Sequence, residues 1–156
     1  MTIQQKLILF VATSAGTGYL PLIPGSLGTL VAIPLSLALN HLATFSLWLA
    51  IASLALGIGC AIAVSSKACE ILRQKDPQVI VIDEVVGFLL ANFLGEDKLS
   101  VLLTSFILFR FFDIAKISPA SRLERLPGGA GVVLDDVAAG IYTFVLVQSL
   151  LRLGWL

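Results

Sequence analysis

Charge is what this sequence has least of. Between Lys6 and Lys67 there is no Asp, Glu, Lys or Arg. Charged residues make up 13% of the chain, against about a quarter in soluble domains, and hydrophobic residues make up 58%. This excludes an ordinary water-soluble domain and identifies a membrane protein. Histidine occurs once, at His41, and cysteine twice, at Cys60 and Cys69, with no CxxC pair. A zinc site therefore lacks its ligands. Both cysteines read as small packing residues, and His41 as a capping or surface residue in a short connection. The formal net charge is zero. No basic patch is present to meet a nucleic-acid backbone, so nucleic acid is not a partner. No protein partner can be named from the sequence. The first apolar run, after Lys6, is followed by no small-residue cleavage site and reads as a retained helix. At 156 residues a single domain spanning 1–156 is expected.

What is present is a series of apolar helices broken by glycine and proline. The expected helices run over about 2–14, 26–40 (Pro34 a possible kink), 45 to beyond 64, 77–92, 99–117 and 135–153. Pro119 to Arg125 reads as a short helix or turn. Only the charge-free stretch Leu42 to Val64 has full spanning length by itself. Asp76-Pro77 reads as an N-cap and first-turn proline for the fourth helix. Val79 to Ile82 is β-branched, but the cap and the long apolar continuation favour a helix there. The stretch from Ala15 to Thr29 carries four glycines, two prolines and several hydroxyls. Such a break must be buried in protein or line a wet cavity, because lipid cannot satisfy its backbone. It is a plain turn or an anion-facing loop offering Thr17, Gly18, Gly25, Ser26 and Thr29.

The few charges inside apolar segments carry the chemistry. Gly128-Gly129-Ala130-Gly131 leads into Asp135-Asp136, two neighbouring anions at the head of an apolar helix. Asp83 and Glu84 lie early in the fourth helix. Arg110, Asp113 and Lys116 are spaced by three, on one stripe of the fifth. With short connections making neighbouring helices antiparallel, all seven fall at one end of the bundle. Taken singly, each has an ordinary explanation: a cap, an ion pair, a solvated edge. Together they are five carboxylates against two fixed cations, which repel unless a divalent cation joins them. Hard carboxylate oxygens suit Mg²⁺ or Mn²⁺, and Mg²⁺ shares its shell with phosphate. Asp83, Glu84, Asp113, Asp135 and Asp136 are the candidate ligands, and Arg110 and Lys116 the candidate phosphate clamps. Gly128 and Gly129 offer backbone N–H groups to an anion. Lys67, Arg73, Lys75, Lys116, Arg122 and Arg125 lie at the site end, against Lys6, Lys98 and Arg152 at the other. The positive-inside rule then turns the site toward the cytoplasm. A small cation-binding or transport protein is the rival reading, disfavoured because the charges gather at one end instead of the midplane.

Three blocks resemble a known family, bacterial phosphatidylglycerophosphatase A. They are Gly16-x-Gly18 through Pro21 and Pro24-Gly25-Ser26-x-Gly28-Thr29; Asp76 through Ile80-Val81-Ile82-Asp83-Glu84-x-x-Gly87; and Phe109-Arg110-x-x-Asp113-x-x-Lys116 through Gly128-Gly129-x-Gly131 to Asp135-Asp136-x-x-Ala139-Gly140. The family's lysine is typically followed by Pro; here Ile117 stands in that position. The resemblance implies an all-α, compact, membrane-associated bundle of about six helices with one central helix surrounded by the others. It also implies a multi-pass protein of the bacterial inner membrane and a Mg²⁺-dependent phosphatase. Its phospholipid substrate would be phosphatidylglycerophosphate, hydrolysed at the terminal phosphomonoester to phosphatidylglycerol. Attack by water with a carboxylate as base, or by an Asp through an aspartyl-phosphate, both remain open.

Overall fold

The computed structural model describes residues 1–20 and 24–156. Its elements are α1 (Ile3–Ala12), a 3-10 turn (Thr17–Tyr19), α2 (Pro24–Phe45), α3 (Leu47–Leu72), α4 (Ile82–Ala91), α5 (Leu99–Ala115), α6 (Ala120–Leu123) and α7 (Gly129–Arg152). No strand occurs among the described residues. The all-α expectation is met with seven helices, the seventh being the short α6 between Pro119 and Arg125.

Local chemistry sets several boundaries. Thr2 and Gln5 form a reciprocal capping box at the start of α1. Ser46 alone separates α2 from α3, and its hydroxyl accepts from the Leu49 N–H. The fourth helix starts five residues later than expected, at Ile82, with no side-chain cap. Asp76-Pro77 therefore belongs to an irregular segment. That segment is held from outside: the Val81 N–H donates to the Ala12 carbonyl at 3.0 Å. His41 lies inside α2, not in a connection. The last turn of that helix takes in Leu42 to Phe45, so the long apolar stretch is divided between two helices.

α4 is the central helix. It packs against α2, α3, α5 and α7, and its Val85, Val86, Gly87, Phe88 and Ala91 are all buried. A helix apolar on every side must be enclosed. The Phe88 ring meets that of Phe109 edge-on at 6.1 Å. The contact with α7 is the closest, and glycine makes it so. A Cβ on Gly140 would run into the Gly87 carbonyl, and one on Gly87 would stand 2.8 Å from the Phe109 ring and 3.0 Å from the Asp136 carbonyl. The C-terminus of α4 is held by a buried polar network. Asn92 Nδ2 donates to Ser36 Oγ at 2.7 Å, Ser105 Oγ donates to Asn92 Oδ1 at 3.0 Å, and Asn40 Nδ2 donates to the Asn92 and Gly95 carbonyls. These side chains pin one end of α4, and its other end is left to the site.

Three helices, α2, α3 and α7, are long and apolar enough to cross a membrane. Trp48 and Trp155 are among the most exposed side chains. They sit at the start of α3 and just beyond α7, the end away from Asp83. Aromatic rings there suit a membrane–water boundary. Cys69 is buried, as expected of a packing residue, but Cys60 is exposed on the outer face of α3.

Candidate active site

A cavity of about 400 Å³ opens at the end of the bundle where α4 begins. Asp83 and Glu84 from α4, Arg110 and Asp113 from α5, Lys116 just past α5, and Asp135 and Asp136 from α7 all line it. All seven charges picked out in the sequence thus meet in one wall. Asp83, Asp135 and Asp136 are buried. Their positions follow from the fold: Asp83 and Glu84 fall in the first turn of α4, and the Glu84 carboxylate lies against Gly25 of α2 near Arg110 of α5.

The two cations divide the five carboxylates. Arg110 Nη1 donates to Asp113 Oδ2 at 2.6 Å, and both side chains are about 15% exposed. Lys116 Nζ donates to Asp135 Oδ2 at 3.0 Å and to Glu124 Oε1 at 2.9 Å. Burial alone would lower the Lys116 ammonium pKa, but the hydrogen bonds to Glu124 and Asp135 overcome it and raise it above its ordinary value. Asp83, Glu84 and Asp136 are left without a cationic partner among the described residues. These same three each offer an oxygen such that all lie within 4.8 Å of one another. Opposite ligands of an octahedral Mg²⁺ lie about 4 Å apart, so the cluster has the right scale. Glu84 Oε2 and Asp135 Oδ1 are buried with no hydrogen-bond partner, as is Arg110 Nε. A buried acceptor such as Glu84 Oε2, left open in a site of excess negative charge, fits a divalent cation.

The local structure differs from expectation in ways that matter. Lys116 is not on the helical stripe. It caps α5 in a left-handed conformation, φ 44° and ψ 50°, so its side chain leaves the helix and reaches α6 and α7. Asp135 and Asp136 do not open their helix. α7 begins at Gly129, and the two aspartates lie well inside it; neither is a cap. Asp113 and Asp135 each pair with a cation, and the carboxylate oxygens that gather within 4.8 Å are those of Asp83, Glu84 and Asp136.

The backbone cradles are also corrected. Gly128 takes φ 66° and precedes α7, and Gly129 is buried against α3. Its N–H donates to Ser66 Oγ at 2.9 Å, and a Cβ there would collide with the Ile62 carbonyl and the Ser66 N–H. These glycines pack two helices together and do not face the cavity. Thr17 Oγ1 donates to the Thr13 and Ser14 carbonyls, and Gly18 packs on the Val79 carbonyl. Thr29 is buried with its hydroxyl on the Gly25 carbonyl, and Ser26 is outside the cavity wall. Among the described residues of that candidate loop, only Pro24 and Gly25 line the cavity. Pro21 lies outside the described residues. The sequence missed Asp76, which has the form of a helix cap, and Gln78, Ile80 and Val132 in the wall, and Glu124 on Lys116. Gln78 carries no distinguishing pattern, and Glu124 is one charge in a polar turn.

Comparison with known proteins now bears on this geometry. The family model for phosphatidylglycerophosphatase A matches residues 10–151. The chain belongs to the phosphatidylglycerophosphatase A family. It is 32% identical over 145 residues to phosphatidylglycerophosphatase A of Haemophilus influenzae, covering 92% of this chain and 88% of that protein. To the protein of the same name from Escherichia coli it is 30% identical over 134 residues, covering 84% and 76%. A Bacteroides thetaiotaomicron protein, provisionally named a phosphatidylinositol-3-phosphatase, is 36% identical over 144 residues, covering 89% and 90%. No solved structure matches at a significant level. Membership makes the chain a lipid phosphatase, and its apolar helices make it a membrane protein.

Proposed function

We propose that the chain is a Mg²⁺-dependent phosphatase of the bacterial inner membrane that converts phosphatidylglycerophosphate to phosphatidylglycerol and phosphate at a cytoplasmic face. The carrying observation is the division of charge: three carboxylates without a cationic partner gather their oxygens within 4.8 Å, beside two cations that line the same cavity. Asp83, Glu84 and Asp136 would hold the metal. A Mg²⁺ ion held there would neutralise charge developing on the phosphate and leaving oxygens.

The chain's own groups supply the rest. Arg110 offers a planar fork to two phosphate oxygens and Lys116 a point charge to a third. Asp113 fixes the Arg110 fork from one side. Asp135 uses Oδ2 for Lys116 and keeps Oδ1 open, so Oδ1 is the acceptor for a proton from the attacking water. The water oxygen bonds to phosphorus, the phosphorus–oxygen bond to the glycerol breaks, the glycerol oxygen leaves as an alcohol on taking a proton from solvent, and Asp135 returns its proton to solvent. The acyl chains stay in the bilayer beside α2 and α5.

The relative provisionally named for a phosphoinositide favours a second substrate, a 3-phosphorylated inositol lipid, for a site of the same design. The assay is phosphate release from each lipid in mixed micelles, with Mg²⁺ and then with chelator. Phosphatidylglycerophosphate should be the faster substrate, and chelation should abolish turnover. Asp83→Asn and Asp136→Asn should each lose more than about a hundredfold in rate while remaining folded. A wild-type rate in either variant removes the metal assignment, and a trapped phosphoenzyme removes direct attack by water.

A further inference from the structure

Lys116 is held from a second side by a residue outside the cavity wall. Its backbone is the left-handed cap of α5, a conformation that a residue with a Cβ adopts at a cost. Its side chain has left the stripe of Arg110 and Asp113, so nothing on its own helix fixes the ammonium. Two carboxylates do so instead: Asp135 Oδ2 at 3.0 Å from α7 and Glu124 Oε1 at 2.9 Å from the end of α6. Glu124 lines a separate cavity of about 90 Å³ with Lys75 and Gly128. It makes no other ion pair among the described residues.

An ammonium has three N–H donors. Two are engaged by carboxylates on different elements, which fixes the direction of the third. With Asp135 alone the ammonium could swing about one bond and lie flat on that carboxylate. We infer that Glu124 is a positioning residue: by holding the Lys116 ammonium away from Asp135 on the outer side, it keeps one N–H directed at the phosphate of the lipid. The inference rests on Lys116 being a phosphate ligand. The alternative is that Glu124 merely staples α6 to the end of α5.

The two are separated by phosphate affinity, which a mere staple of α6 would leave unchanged. A double-mutant cycle on the purified full-length protein shows that the effect runs through Lys116. Glu124 is half-exposed, so Glu124→Gln removes a charge without opening a hole. Glu124→Gln should raise KM for the lipid about fivefold and leave kcat within about twofold, because a ligand of the phosphate acts in ground and transition states alike. Affinity for inorganic phosphate, measured by calorimetry with Mg²⁺ present and so independent of turnover, should fall by the same factor. In a Lys116→Ala background the same substitution should change neither value. Equal losses in both backgrounds, or an unchanged KM in Glu124→Gln, would overturn the positioning role. Wild-type phosphate affinity in Lys116→Ala would instead overturn the assignment of Lys116 as a phosphate ligand.

Discussion

Single residues decide how close the catalytic groups stand, and glycine does so most sharply. Gly25 faces two of the groups that line the cavity, Glu84 and Arg110. A Cβ at Gly25 would press on Glu84 Oε1 and stand 2.9 Å and 3.0 Å from the two terminal nitrogens of Arg110. Those atoms are the far ends of flexible side chains, so they can yield. Gly25 is also inside α2, where alanine is the better helix former by about 1 kcal/mol. Gly25→Ala should therefore leave the melting temperature nearly unchanged, or raise it slightly. Activity should fall by about tenfold or more, because Glu84 and Arg110 move together. Thermal unfolding and phosphate release measured on one preparation test this. Equal retention of both would mean that neither group needs its present position. The same reasoning explains why Asp113 and Asp135 differ from Asp83, Glu84 and Asp136, although all five are carboxylates in one wall. Each carboxylate is assigned its part by the partner it finds. Asp113 and Asp135 orient a cation, and the other three remain available to a metal.

Elements bring those residues together, and here the crossing of α4 and α7 governs. Asp83 and Glu84 ride on one helix and Asp135 and Asp136 on the other, so the spacing of the axes is the spacing of the site. Gly140 lets the two backbones touch. A Cβ there would strike the Gly87 carbonyl and lie 3.3 Å from Leu90 Cβ. Backbone cannot swing aside as the end of a side chain can. Gly140→Ala should cost about 1–3 kcal/mol in stability. By pushing α7 off α4, it should also weaken Mg²⁺ binding, measured as the metal concentration giving half-maximal activity. Normal stability with normal metal dependence would refute the close crossing. Much of this element scale was legible in the sequence. Isolated charges in apolar helices, and their arrival at one end, follow from spacing and short connections. What could not be read was where helices truly begin. Asp76-Pro77 has the form of a cap, yet α1 takes the Val81 N–H and delays α4 to Ile82. The glycines before Asp135 have the form of a phosphate loop, yet Gly129 serves the contact with Ile62 and Ser66 and is already helical. Both errors have one cause. A local signal was overridden by a contact distant in sequence, and one sequence does not display such contacts.

At the scale of the whole molecule the question is which way the site faces. The cavity end carries Lys67, Arg73, Lys75, Arg122 and Arg125 close to the ends of α3 and α7. The opposite end has Lys98 before α5 and Arg152 at the close of α7. α1 packs by Leu9 and Ala12 on Ala68 and Cys69 near the end of α3. That brings Lys6 toward the site end too, whereas the order of helices along the chain assigns it to the other. The asymmetry in basic residues is therefore larger than the sequence suggests, and these residues adjoin the spanning helices, where the positive-inside rule counts them. This distribution supports the proposed cytoplasmic site. It also suits a lipid whose doubly phosphorylated head group would be drawn to a rim of lysine and arginine. Single cysteines at Arg122 and at Lys98, in a chain with Cys60 and Cys69 replaced by alanine, report the orientation directly. In intact bacterial cells a membrane-impermeant maleimide should label Lys98→Cys after the outer membrane is made permeable. It should reach Arg122→Cys only once the inner membrane is opened. Reversed labelling would place the cavity on the outer face, and a substrate made in the cytoplasmic leaflet would then have to cross before it met Asp83 and Asp136.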